Sequence, residues 1–129
     1  MSEAIIYIDQ SEVREGRLED LRAAVRDLAG LVEAEEPRLV AYHAYFSESG
    51  DRLTVLHVHR DRASLAHHMR VGGPVFPTLR DLINLLTIDL YGDPGDELVV
   101  QMRQKAQLLG TGTVRVHHLD AGFTRLGPD

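Results

Sequence analysis

The chain has 129 residues and a mass of 14.4 kDa, enough to bury one core and too little for two ordinary domains. Its 14 lysines and arginines are outnumbered by 20 aspartates and glutamates, and the net charge of −6 opposes binding to a nucleic-acid backbone or an anionic membrane surface. With no cysteine, the chain can form no disulfide, thiolate zinc site, iron–sulfur cluster or cysteine nucleophile, which fits a reducing cytoplasm.

The opening run MSEAIIYIDQ has no basic start and no small-residue cleavage site, and no window reaches the roughly 18 apolar residues of a membrane helix. A soluble, unprocessed, cytoplasmic protein is expected, with one domain over 1–129 and a tail, 121–129, that is only partly ordered.

Residues 4–9, AIIYID, are β-branched and bounded by polar residues, which predicts a first strand with Tyr7 as its polar handle. Over 13–35, Leu18, Leu21, Val25, Leu28 and Val32 recur at spacings of three and four, the pattern of an amphipathic helix. Glu15, Glu19 and Asp20 suit its N-terminus and Pro37 ends it. Residues 39–47 alternate, Ser49-Gly50-Asp51 turns, and 53–59 alternates again, so the two runs predict a β-hairpin.

Asp61 can cap a helix over 63–70 that Gly72-Gly73-Pro74 stops. Leu79, Leu82, Ile83 and Leu86 predict a further helix over 77–86, followed by a short strand, 87–91. A third major helix is expected over 96–109, with Leu98, Val99, Met102, Ala106 and Leu109 on one side. Gly110 to Gly112 read as a flexible link to a last strand over 113–119. The order predicts an α+β fold: a ferredoxin-like antiparallel sheet covered by helices on one face. The bare apolar face calls for a homodimer, with strand 87–91 pairing to the second subunit's sheet.

Chemistry concentrates in LTVLHVHRDRASLAHHM, residues 53–69, which holds four of the seven histidines. His57 and His59, two apart on a strand, share a face, and an odd-with-odd hairpin register would add His43, with Tyr45 nearby. His68 falls on the apolar side of the following helix and His67 on its wet side. Three histidines on one face could ligate a metal, but no well-spaced carboxylate completes such a set, and a polar cavity or a wet dimer seam is the simpler reading. His117 and His118 read as one side chain in and one out of a strand. There is no G-x-x-x-x-G-K-[ST] loop, strand-linked G-x-G-x-x-G or G-x-S-x-G elbow, which argues against phosphate-loop and serine-hydrolase chemistry.

The runs EGRLEDL, EEPRLVAYHAYFSESGDRLTVLHVHRDRASLAHHM, TIDLYGDPGDEL and AGFTR together resemble the antibiotic-biosynthesis-monooxygenase-like group of dimeric α/β barrel proteins, from about Ile5 to Arg125. The group's typical Leu-x-x-His in the helix after the third strand is matched by Leu65 and His68. The resemblance implies a dimeric α/β barrel, no metal, no cofactor, and a reaction in which a small phenolic or quinol-type substrate itself reduces oxygen. It implies His68 as catalytic base or anchor, with His57, His43, Tyr7 and His59 lining the substrate pocket. The haem-degrading branch of the group uses a tryptophan and an asparagine, whereas this chain has no Trp and its only Asn is Asn84, in a later segment. Tryptophan and asparagine also serve the oxygenase branch, whose tyrosine could be matched here by Tyr7, Tyr42 or Tyr45. The alternatives are a ligand-binding or stress-related barrel without catalysis and, behind it, a histidine metal site.

Overall fold

The computed structural model describes residues 3–127. Five strands form one sheet: β1 (Ile5–Val13), β2 (Leu39–Phe46), β3 (Arg52–His59), β4 (Ile83–Tyr91) and β5 (Gly110–His117). The helices are α1 (Leu18–Glu35), α2 (Arg62–Gly72) and α3 (Asp96–Leu109), with a single 3₁₀ turn at Phe76–Leu79. The spatial order β2-β3-β1-β4-β5 contains the expected ferredoxin-like set and extends it by one strand. β5 runs parallel to β4, so the sheet is mixed rather than antiparallel throughout; a parallel neighbour needs a crossover, and α3 supplies it.

Alternation on β1 decides which face is covered. Ile5, Tyr7, Asp9 and Ser11 are buried beneath the helices, and Ile6 and Gln10 point the other way. The α1 stripe, Leu21, Val25, Leu28 and Val32, packs on the covered face, as its spacing predicts. Asp61 caps α2 by accepting a hydrogen bond from the Ser64 amide at 2.9 Å.

Several expectations are corrected. β1 continues to Val13 and α1 starts only at Leu18, because Val13 pairs with Ile83 and the chain reverses through Gly16 at φ 75°. The helix expected over 77–86 is one 3₁₀ turn followed by strand: Leu79, Leu82, Ile83 and Leu85 are all buried, and a run enclosed from several sides carries no decisive period. The segment 87–91 belongs to β4 and pairs with β1 and β5 of its own chain, not with a second subunit. Gly110 is strand rather than link; a Cβ there would overlap the Leu85 backbone, so the close start of the β4–β5 pair needs a glycine.

Beyond β5, residues 118–127 have no regular secondary structure, and the Arg60 guanidinium donates to the Gly127 carbonyl at 3.1 Å. The last two residues of the tail expected over 121–129 lie outside the described residues.

Candidate active site

The strand register builds the floor of the site. Tyr7 pairs with His57 across β1–β3, and Tyr42 pairs with His57 across β2–β3, so three rings lie in a row on the covered face. His57 is stacked 4.0 Å from the Tyr7 ring and 4.9 Å from Tyr42. The register shift between Leu39 and Ala41 puts Tyr42, not His43, on this face. His43 therefore leaves the row of rings: it pairs with Leu56, is exposed, and lies 3.1 Å from the Tyr45 hydroxyl through Nδ1.

His68 supplies the roof. From α2 it stands edge-on to His57 at 4.8 Å, with both tyrosine rings about it at 6.1 and 6.0 Å. Its Nδ1–H donates to both Glu36 oxygens, at 2.8 and 3.0 Å. In the neutral ring that fixes the tautomer and makes Nε2 a lone-pair acceptor; this nitrogen is buried without a hydrogen-bond partner. His59 is fully buried, with Nδ1 2.8 Å from the Ser64 hydroxyl. His67 is half-buried and donates from Nε2 to the Glu35 carbonyl at 2.7 Å.

A second polar group lies across the floor. The Lys105 ammonium, on the buried stripe of α3, donates to the Tyr7 hydroxyl and, at 3.3 Å, to Asp9. Burial raises the Asp9 carboxyl, but Lys105 and His57 more than offset this and hold it at about 2. Burial lowers His57 to about 4, partly opposed by Asp9, and lowers His59 to about 2, with His57 and His68 adding to the effect. Both are neutral at neutral pH. Burial also pushes Lys105 down and the Tyr7 and Tyr42 phenols up, so the phenols remain donors.

Between floor and roof lies a cavity of about 30 Å³, room for one water-sized group. Asp9, Ser11, Tyr42, His57, His68 and Lys105 are its polar lining; Val25, Leu28, Phe76 and Leu109 are among its apolar walls. Tyr42 and the neighbouring Glu36 also line an outer groove of about 520 Å³ between α1 and β2.

No family model matches the chain, and no curated protein matches it. Solved structures do. MupZ from Pseudomonas fluorescens superposes with a TM-score of 0.74 at 17% identity, covering 96% of each chain. SnoaB, a cofactor-independent oxygenase from Streptomyces nogalater, gives 0.60 at 15%, covering 71% of this chain and 94% of its own. A protein named as a candidate antibiotic biosynthesis monooxygenase from Bacteroides thetaiotaomicron gives 0.59 at 15%, covering 68% and 85%. The fold is that of the antibiotic-biosynthesis-monooxygenase-like proteins.

Within that fold, the structure brings together His68, His57, Tyr7 and His59 of the residues singled out in the sequence and places His43 outside this cluster, on the outer groove that Tyr42 also lines. Among the described residues no group of histidines and carboxylates is arranged to hold a metal ion. Sequence reasoning missed Asp9, Glu36 and Lys105. Two of these had a signal: Asp9 continues the alternation Ile5, Tyr7, and Lys105 follows Met102 by three and precedes Leu109 by four, inside the apolar stripe. Glu36 follows the last turn of α1 and carries no such mark.

Proposed function

We propose that the protein is a small-molecule enzyme that deprotonates a phenolic or quinol-type compound and lets the resulting anion react with oxygen, without a cofactor. The observation that carries this reading is the Glu36–His68 pair: a carboxylate orients a buried imidazole whose second nitrogen faces other site groups without a partner. That is the arrangement of a general base, and its dry surroundings favour reaction of the anion over its hydration. In a quinol-type substrate, one oxygen atom then enters the carbon skeleton and the other leaves as water, the four electrons coming from the substrate. His57, His59 and Tyr7 act as pocket groups, and the fold shared with the oxygenase SnoaB agrees with the assignment.

The working unit is a homodimer in the cytoplasm, with the sheet's uncovered face, including Ile6 and Tyr91, as the contact surface. Oxygen consumption with a panel of hydroxylated aromatics tests the reaction. Uptake that needs His68 supports it; saturable binding of the same compounds without uptake would leave the second reading, a ligand-binding barrel. Either reading needs the cavity to widen, since about 30 Å³ does not hold an aromatic ring.

A further inference from the structure

We propose that Lys105, positioned by Tyr7, forms the oxygen-binding end of this site, holding as an anion the hydroxyl oxygen of an acidic phenol or enol whose proton passes to His68 Nε2. The inference rests on the reading of His68 as base and assigns the counterpart that such a base requires.

Lys105 is an ammonium on an apolar helix stripe, 8% exposed, between buried Met102 and Leu109. Burying that charge costs several kcal/mol unless it is well paired. Its partners are one carboxylate, one phenol and the faces of two rings, Phe76 at 4.2 Å and Tyr7 at 4.9 Å from Nζ. An ammonium has three hydrogens, and two oxygens take two of them. The surrounding groups are unsatisfied in the same sense: Ser11 Oγ, Nδ1 of His57 and Nε2 of His68 are buried without hydrogen-bond partners, His57 Nε2 has only Asp9 at 3.6 Å, and all three residues line the cavity. Buried polar atoms are ordinarily paired, so a cluster of orphans around one cavity beside a charged donor marks a place for a polar ligand.

The charge inventory is consistent with an anion. Facing the cavity or its polar lining are Tyr7 and Asp9 from β1, Tyr42 from β2, His57 and His59 from β3, His68 from α2, Glu36 after α1, and Lys105 from α3. Asp9 is engaged by Lys105 and Glu36 by His68. When the ligand's O–H bond breaks and an Nε2–H bond forms on His68, Glu36 gains a cationic partner and the ligand oxygen gains Lys105. The total charge of the pocket does not change, so the transfer requires no further counter-ion. The oxygen end occupies the cavity while the ring arrives through the outer groove and replaces Tyr42 against His57, since Tyr42 is the side chain common to groove and cavity.

The test uses 4-nitrophenol, which absorbs differently as phenol and as phenolate and does not undergo the oxygenation. Titrating the full-length protein with this probe between about pH 6.5 and pH 9 should show the bound probe ionising about one pH unit or more below the free probe, a tenfold preference for the anion. Tyr7→Phe should reduce that shift, and Lys105→Met should abolish it while Lys105→Arg retains part of it. A bound probe with an unshifted ionisation, a shift untouched by Tyr7→Phe, or no binding at all overturns the assignment. Because Lys105→Met leaves Asp9 uncompensated and can unfold the protein, the wild-type and Tyr7→Phe titrations alone decide the matter. The assignment and the oxygenase reading fail separately: phenolate binding without oxygen uptake on any substrate removes only the oxygenation step, and oxygen uptake with no phenolate preference removes only Lys105 and Tyr7.

Discussion

Each face of the sheet carries a carboxylate beside an imidazole, and the two constellations differ in what is left over. On the uncovered face, Asp89 accepts two hydrogen bonds from Arg115, at 2.8 and 2.9 Å, and one from His117 at 2.8 Å, with His117 stacked on Tyr91. Its carboxylate is saturated and its partners reach solvent. On the covered face, Glu36 holds one nitrogen of His68, and beyond it lie buried nitrogens and a hydroxyl with no partner. The same residue types therefore make a closed structural knot on one side and an incomplete site on the other. Partner counting under burial, rather than residue identity, separates them.

The largest expected effect is on turnover. Replacing His68 with Ala should lower kcat/KM for a true substrate by about 10²- to 10⁴-fold, the range of a lost general base. Glu36→Gln should act in the same direction, because the amide can no longer hold Nδ1–H as a charged acceptor. Activity measured beside Arg115→Ala gives the contrast: a loss there as large as that of His68→Ala would abolish the distinction between the faces.

Stability should respond next. Asp9→Ala leaves the Lys105 ammonium buried with only a phenol and two rings, and should cost about 3–5 kcal/mol in denaturant unfolding. Asp9→Ala with Lys105→Met should recover much of that loss, since the double change removes both charges. A single-site cost below about 1 kcal/mol would show that Lys105 reaches water in solution.

Acid should reveal the neutral histidines. An unfolded histidine takes a proton near pH 6.5, whereas His57 resists until about 4 and His59 until about 2. Between those values the unfolded chain binds more protons, so stability falls as pH falls. By about pH 4 each histidine has removed up to about 3 kcal/mol. Asp9 adds a further loss between about pH 4 and pH 2, because its folded pKa lies below the unfolded one. Melting temperatures taken from pH 7 downward should decline through this window, and His57→Phe, which keeps a ring between Tyr7 and Tyr42, should flatten the first part of the decline. A melting temperature constant from pH 7 to about pH 4 would mean that the histidines are hydrated.

The architecture was largely legible in the sequence because its elements are amphipathic. The α1 stripe and the alternation on β3 each face one way, so their periods survive. The 77–86 segment failed for the opposite reason: enclosed on several sides, it is apolar without a period that could decide between helix and strand. At the site, His57, His59 and His68 could be grouped from local spacing, but His43 depended on register, and one shift near Leu39 moved it out of the row of rings while bringing Tyr42 in. Glu36 and Lys105 reach the site from the end of one helix and the middle of another, 69 positions apart in sequence, and no local pattern announces such a meeting.

The smallest expected effect belongs to the uncovered face and is the sharpest check on the comparison. The Arg115 side chain is 56% exposed and His117 42%, and their shared partner Asp89 is held below the usual carboxylate range by Arg115, against burial, with help from His117. Removing one exposed partner leaves the other and admits water to the vacated side, so Arg115→Ala should cost little at moderate protein concentration. If the face is sealed by a second copy, as proposed, the same change acts on a desolvated pair, and the loss should then depend on protein concentration because unfolding and dissociation are linked. Denaturation of Arg115→Ala at two widely separated concentrations, beside the wild type, distinguishes a solvated knot from an interfacial one. A large loss independent of concentration would mean that Asp89 relies on Arg115 as heavily as Lys105 relies on Asp9, and the two faces would differ in exposure alone.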